Sequence, residues 1–186
     1  MTITAGATQV YDNVDFSPSN NPTFTLADTL NMVGTLNFGS TANTCTFTRG
    51  TGAGVISTTG LVTNITGNAA NRGCQGTGTI RLAGPVSGTN QTINNTNSSR
   101  MPNFSVTSNS PNTVTFGTNT SFQLRNNLDW TGTALIIPNT GTLQLSHTGT
   151  ASIVAGPGIF YRAAMNGAAA TTLVGTLRVR NRVTYG

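Results

Sequence analysis

The sequence offers four carboxylates, Asp12, Asp15, Asp28 and Asp129, and one imidazole, His147. Hydrolysis of a glycosidic bond needs two carboxyl groups held across the scissile bond, one as acid and one as base or nucleophile. Asp12 and Asp15 are the one close pair, and they lie near the start of the chain, away from the repeats described below. Asp129 stands alone beside Trp130, and His147 stands alone in QLSHTGT. Neither belongs to the partnered constellation that acid-base or nucleophilic work requires. We therefore expect no enzyme and no catalytic residue. Two cysteines, one histidine and four scattered aspartates match no zinc spacing, so we expect no metal and no cofactor.

Cys45 and Cys74 are the only cysteines. Stacked on neighbouring turns of a repeating fold they would form a disulfide; otherwise they are two buried thiols. At the other end, TTLVGTLRVRNRVTYG reads as the best isolated strand. It puts Leu177, Val179 and, past a one-residue irregularity at Asn181, Val183 on one face. Arg178, Arg180 and Arg182 take the opposite face. Such a row of guanidinium forks could hold phosphates or a partner's carboxylates, or it could simply guard a terminal strand against aggregation. We expect Leu177, Arg178, Val179, Arg180, Arg182 and Val183 to form the contact surface for assembly. Trp130 reads as a packing residue, with a sugar-stacking platform as the alternative.

The elements that position these residues are short apolar beads. Phe104/Val106, Val114/Phe116, Phe122/Leu124, Leu128/Trp130, Leu135/Ile137, Leu143/Leu145 and Ile153 alternate with polar residues and end at Gly, Asn, Pro or Thr. This is the period-2 signature of strands with one buried face. Val114 to Leu135 and Phe122 to Leu143 are each 21 residues, and Val106 to Leu128 is 22. Three short strands and three turns of that length make one turn of a parallel β-solenoid. On this reading Leu135 and Leu143 both point into the core. Upstream the register is looser, with Ile56 to Ile80 spaced by 24.

The expected fold class is therefore all-β, a parallel β-solenoid (right-handed β-helix) with terminal capping strands. An antiparallel β-sandwich or jelly roll is the alternative. The expected division is an N-terminal arm or cap over 1–28, a solenoid body over 29–156, and a C-terminal linker with a terminal strand over 157–186. TNQTINNTNSSR (89–100) is expected to be an exposed loop or a ladder corner, and Ala163 to Met165 a single helical turn.

Composition points the same way. All nine basic residues are Arg and all four acids are Asp; Lys and Glu are absent, and charged residues make up only 7% of the 186. Lys and Glu favour helices while Thr and aromatics favour strands, so the bias is towards an all-β protein whose surface is hydroxyls and amides. The net charge of +5 is thin for a nucleic-acid binder. No run approaches the 18 apolar residues of a membrane helix. The opening MTITAGATQVYDNVDF carries neither a basic n-region nor an apolar h-region, from which we expect no secretory leader. We expect neither nucleic acid nor membrane as a direct partner.

At LDWTGTALIIPNTGTLQLSHTGTASIVAG the chain resembles the right-handed β-helix repeats of bacterial surface adhesins and autotransporter-like passengers, and of phage tail, fibre and decoration proteins. The shared elements are a Leu-x-Trp-x-Gly strand, an apolar strand ending in Pro, and Thr-Gly-Thr-Leu. The resemblance implies a non-enzymatic structural role in a bacteriophage virion, as a capsid decoration (cement) protein or a fibre or tail component. The alternative is a secreted or cell-surface bacterial adhesin or extracellular filament subunit. The expected partners are further copies of the chain, with a trimer as the expected order, other virion proteins such as the capsid or tail, and a host-surface glycan.

Overall fold

A two- to four-residue strand buries too little to stand alone, so each bead needs a neighbour that repeats its pattern. The chain supplies such neighbours along its whole length. In the computed structural model the described residues are all except 1, 6–7, 18, 41, 67–73, 85–87, 96–99, 118–120, 125–126, 138–141, 146–150, 155, 158, 166–169 and 186; of 100, 121–123, 136–137, 145 and 151 only the backbone is described.

The first turn is β1 (Thr2–Ile3), β2 (Val10–Tyr11) and β3 (Val14–Phe16); the second is β4 (Thr23–Leu26), β5 (Thr29–Met32) and β6 (Leu36–Gly39). The third is β7 (Cys45–Arg49), β8 (Val55–Thr58) and β9 (Val62–Thr66), and the fourth β10 (Cys74–Gln75), β11 (Thr79–Leu82) and β12 (Asn90–Asn95). The fifth is β13 (Arg100–Met101), β14 (Asn103–Val106) and β15 (Thr113–Phe116), and the sixth β16 (Ser121–Leu124), β17 (Leu128–Trp130) and β18 (Leu135–Ile137). The chain closes with β19 (Thr142–Leu145), β20 (Ala151–Val154), β21 (Ile159–Met165), β22 (Thr171–Val174) and β23 (Arg178–Tyr185).

Every strand pairs in parallel with its counterpart one turn away, which makes the molecule a parallel β-solenoid of about six turns, consistent with the expected right-handed β-helix. A sandwich or jelly roll would require antiparallel pairs. One face is the sheet β1-β4-β7-β10 followed by β13-β16-β19-β21-β23, with β10 and β13 in contact where the two meet. The second face is the eight-stranded sheet β2-β5-β8-β11-β14-β17-β20-β22, and the third runs from β3 through β6, β9, β12 and β15 to β18. On the second face Leu30, Ile56, Ile80, Phe104, Leu128 and Ile153 lie in one inward row, each directly over the last. All six are buried in the shared core. Inside the first turns Phe16, Phe38 and Phe47 meet edge to face, with centroids 5.8 and 5.5 Å apart, the arrangement aromatic quadrupoles prefer.

Several expectations change. The stretches expected as an arm (1–28) and as a linker with a strand (157–186) are turns of the same solenoid: β1, β2 and β3 pair with β4, β5 and β6, and β21 and β22 pair with β19 and β20. Ala163 to Met165 is strand, because Phe160 and Ala163 fill inward positions on β21. Residues 90–95 are the strand β12 and not a loop. Its inward side is Gln91, Ile93 and Asn95, all buried. The amide nitrogen of Gln91 donates to the carbonyls of Thr58 and Gly60, at 3.3 and 2.9 Å, which holds the side chain at its core position, while its Oε1 is buried without a hydrogen-bond partner.

Leu135 is the other correction. Thr113 pairs with Leu135 and Val114 with Ile136, one residue off the spacing expected, and a slip of one residue exchanges the two faces of a strand. Leu135 is 52% exposed while Ala134 beside it is buried. Leu143, opposite Phe122 as expected, is buried. Leu143→Asp should therefore lose several kcal/mol through an unpaired buried carboxylate, whereas Leu135→Asp should stay within about 0.5 kcal/mol of the parent. Urea midpoints of the two variants check this, and equal losses would contradict the register.

Candidate assembly surface

Asp12 lies in the bend after β2, Asp15 points outward from β3 and accepts a hydrogen bond from Ser17, and Asp28 sits at the corner between β4 and β5; all three are exposed. Asp129 lies outward on β17, several turns away. Among the described residues no three of His, Cys, Asp or Glu come together to hold a metal ion. His147 lies outside the described residues. Trp130 is buried, its Nε1 donating to the carbonyl of Ala134 at 3.3 Å and its ring edge-on to Phe160 at 6.2 Å, which makes it a core residue and not a sugar platform.

Cys45 and Cys74 are directly opposite each other on β7 and β10, with Cα atoms 4.4 Å apart, and are joined as a disulfide. Their sequence separation of 29 exceeds the 24-residue step between Ile56 and Ile80 on the second face.

Sequence reasoning missed a polar row on the outside of the second face. Ser57, Arg81, Ser105 and Asp129 stand in line on β8, β11, β14 and β17. Their constant interval of 24 residues was the available signal. Arg81 and Asp129, with Arg49, line a shallow cavity of about 260 Å³, and the buried Nε of Arg81 has no hydrogen-bond partner. Asn103 and Asn127 at its rim are committed to the fold: Asn103 Nδ2 donates to Thr77, and the side-chain oxygens of Asn103 and Asn127 accept from the backbone N–H of Asn127 and Ser152.

The terminal strand carries the predicted contact residues. β23 pairs with β21, placing Val179 over Phe160 and Val183 over Ala163. Between them Arg180 and Asn181 face the single Tyr161, so the irregularity expected at Asn181 is a bulge at that point. Val179 and Val183 thus continue inward rows, and β23 is the last strand of its sheet among the described residues. Val183 is 38% exposed and Tyr185 76%. On β22, Leu173 ends the row of Leu128 and Ile153 and is 45% exposed. Leu177, just before β23, is partly buried and packs against the core, on the apolar face expected for it. Arg178, Arg180 and Arg182 are exposed. Arg178 donates to the carbonyl of Pro157 at 3.4 Å. Arg182 lies opposite Arg162, whose guanidinium sits 5.2 Å from the centre of the Tyr161 ring. Like charges side by side on adjacent strands repel unless an anion or a partner's carboxylate lies between them.

Among the described residues the terminal strand thus carries exposed apolar side chains and guanidinium groups on the edge of its sheet. Comparison with protein-family models, with curated proteins and with solved structures finds no match to this chain.

Proposed function

We propose that this chain is a non-enzymatic structural protein that works by repeated assembly, and that its setting is a bacteriophage virion, as a capsid decoration protein or a fibre or tail component. The observation that supports the reading is the last described turn, where Leu173, Val174, Val183 and Tyr185 are exposed, although Ile153 and Ala163, the inward neighbours of Leu173 and Val183 one turn below, are buried. Side chains of this kind gain about 25 cal/mol per Å² of apolar surface when a partner covers them. Deleting Thr171 to Gly186 removes β22 and β23, and the shortened chain should keep its β spectrum while losing both self-association and attachment to particles. The test is mass spectrometry of density-banded particles from lysed cells that encode the chain. Stoichiometric recovery of the full chain supports the reading; recovery only in the soluble fraction, or unchanged attachment of the shortened chain, contradicts it.

The second reading, a secreted adhesin or extracellular filament subunit, is favoured by the Cys45–Cys74 disulfide, since such bonds persist in oxidising surroundings. Recovery of the chain from the outer surface of intact cells would decide for it.

A further inference from the structure

The charges of this chain are divided along the solenoid axis. Residues 1–48 contain Asp12, Asp15 and Asp28 and no basic residue. Beyond Asp129 there is no acid, and β21 and β23 carry Arg162, Arg178, Arg180 and Arg182. All seven side chains are exposed. One end is acidic and the other is basic.

The two ends also match in register. The outward row of the second face runs Val10, Asn31, Ser57, Arg81, Ser105, Asp129, Val154, Val174. It starts and stops on an exposed valine, 61% for Val10 and 49% for Val174. β2 and β22 are the two edge strands of that sheet, and each runs on through a short corner into the strand that follows, β3 or β23.

We propose that copies of this chain stack head to tail, the first turn of one copy continuing the sheets beyond the last turn of another. β2 of the incoming copy pairs in parallel with β22, and Val10 extends the row over Val174. The corner after β2 then falls over the corner after β22. That brings Asp12 and Asp15 of one copy beside the segment holding Arg178, Arg180 and Arg182 of the other, where carboxylates and guanidinium groups form charge-assisted hydrogen bonds. A head-to-head contact would set acid against acid, a tail-to-tail contact Arg against Arg, and either would reverse the strand direction that every sheet keeps. The partner that fits both ends is thus a second copy. A contact between two different surfaces of one chain extends as an open rod unless its rotation closes a ring. This inference rests on the assembly reading above and specifies its polarity.

The test is sedimentation velocity of the full chain over a range of concentration and salt, with two charge-reversed variants. In the first, Arg178→Asp, Arg180→Asp and Arg182→Asp make both ends acidic; in the second, Asp12→Arg and Asp15→Arg make both ends basic. The parent should associate with rising concentration, weakening tenfold or more as salt screens the contact. Each variant alone should stay monomeric, and mixing the two should restore association, because each end then meets its opposite. Should a reversed variant lose its β spectrum, the neutral pair Arg180→Gln/Arg182→Gln and Asp12→Asn/Asp15→Asn is read instead. Each neutral variant should bind about tenfold more weakly at low salt and lose most of its salt dependence. Variants that associate like the parent, or a mixture that stays monomeric, overturn the head-to-tail polarity and leave assembly standing. A closed trimer unaffected by either variant does the same. A parent that is monomeric under all conditions overturns both.

Discussion

Ile80→Asp should leave the chain unfolded, or folded with a melting temperature lower by 10 °C or more. Ile80 is fully buried at the middle of the second face, directly between Ile56 on β8 and Phe104 on β14. The substitution removes a core side chain, worth about 2–5 kcal/mol, and adds a carboxylate for which this inward row of apolar side chains has no partner, at several kcal/mol more. A domain stable by about 5–15 kcal/mol does not survive that sum comfortably. At about 2–4 °C per kcal/mol for a chain of this size, even a partly relaxed site falls by the stated amount. The matched control is Arg81→Ser on the next residue, outward between Ser57 and Ser105, which should lie within about 1 kcal/mol of the parent. Thermal melts followed by circular dichroism read both, and equal effects would show that the inward and outward rows have been exchanged.

Gly60→Ala should cost about 3 kcal/mol, the upper end of what overpacking does. A Cβ at Gly60 would stand 1.8 Å from the carbonyl oxygen of Gly34 one turn below and 2.9 Å from its carbonyl carbon. Both are backbone atoms, so no rotamer change relieves the contact and the two turns must separate. The same glycine accepts the buried amide of Gln91 at 2.9 Å, and its N–H donates to Thr58 Oγ1 at 2.9 Å, so separation loosens a buried polar cluster whose unmade bonds are costly. Gly88→Ala is the comparison: a Cβ there meets nothing within 4 Å, but the residue has φ +90°, so its cost should be about 1 kcal/mol of backbone strain. Denaturant titration of the pair separates close approach from conformational strain.

What the sequence disclosed, and what it hid, follows from how each residue is buried. Ile56 over Ile80 was legible because apolar residues marked inward positions on both strands of the pair, and the register of Phe122 with Leu143 because their 21-residue spacing matched one turn. The terminal strand was legible because Arg and Val alternate along it. β12 was not, since Gln91 and Asn95 take core positions, Gln91 donating its amide to Thr58 and Gly60, which leaves the period-2 pattern with Ile93 as its one apolar marker. Leu135 misled in the opposite sense, as an apolar residue on an outward position. The abundance of Asn and Thr was read as surface polarity, but much of it is structural. Asn37, Asn64 and Asn94 hydrogen-bond from turn to turn at 2.8 and 3.0 Å, and Thr48 does the same with Thr25 at 3.0 Å. Such ladders need a residue of the same kind at the same place on consecutive turns, and turns of unequal length hide that recurrence. The second face recurs every 24 residues through its middle, whereas Thr142 to Arg162 on the first face is a step of 20. The charge division between the two ends was present in the composition, and it became a surface only when the first and last turns proved to be parts of one solenoid.

The most direct test of the whole account is electron microscopy with layer-line analysis of the associated chain at low salt. Eight strands on the second face at about 4.8 Å per strand give about 38 Å per copy. A head-to-tail stack that continues those strands predicts unbranched rods with an axial repeat of about 38 Å over a strand repeat of about 4.8 Å. Closed rings, or rods whose axial repeat is about twice that because neighbouring copies face opposite ways, would contradict it.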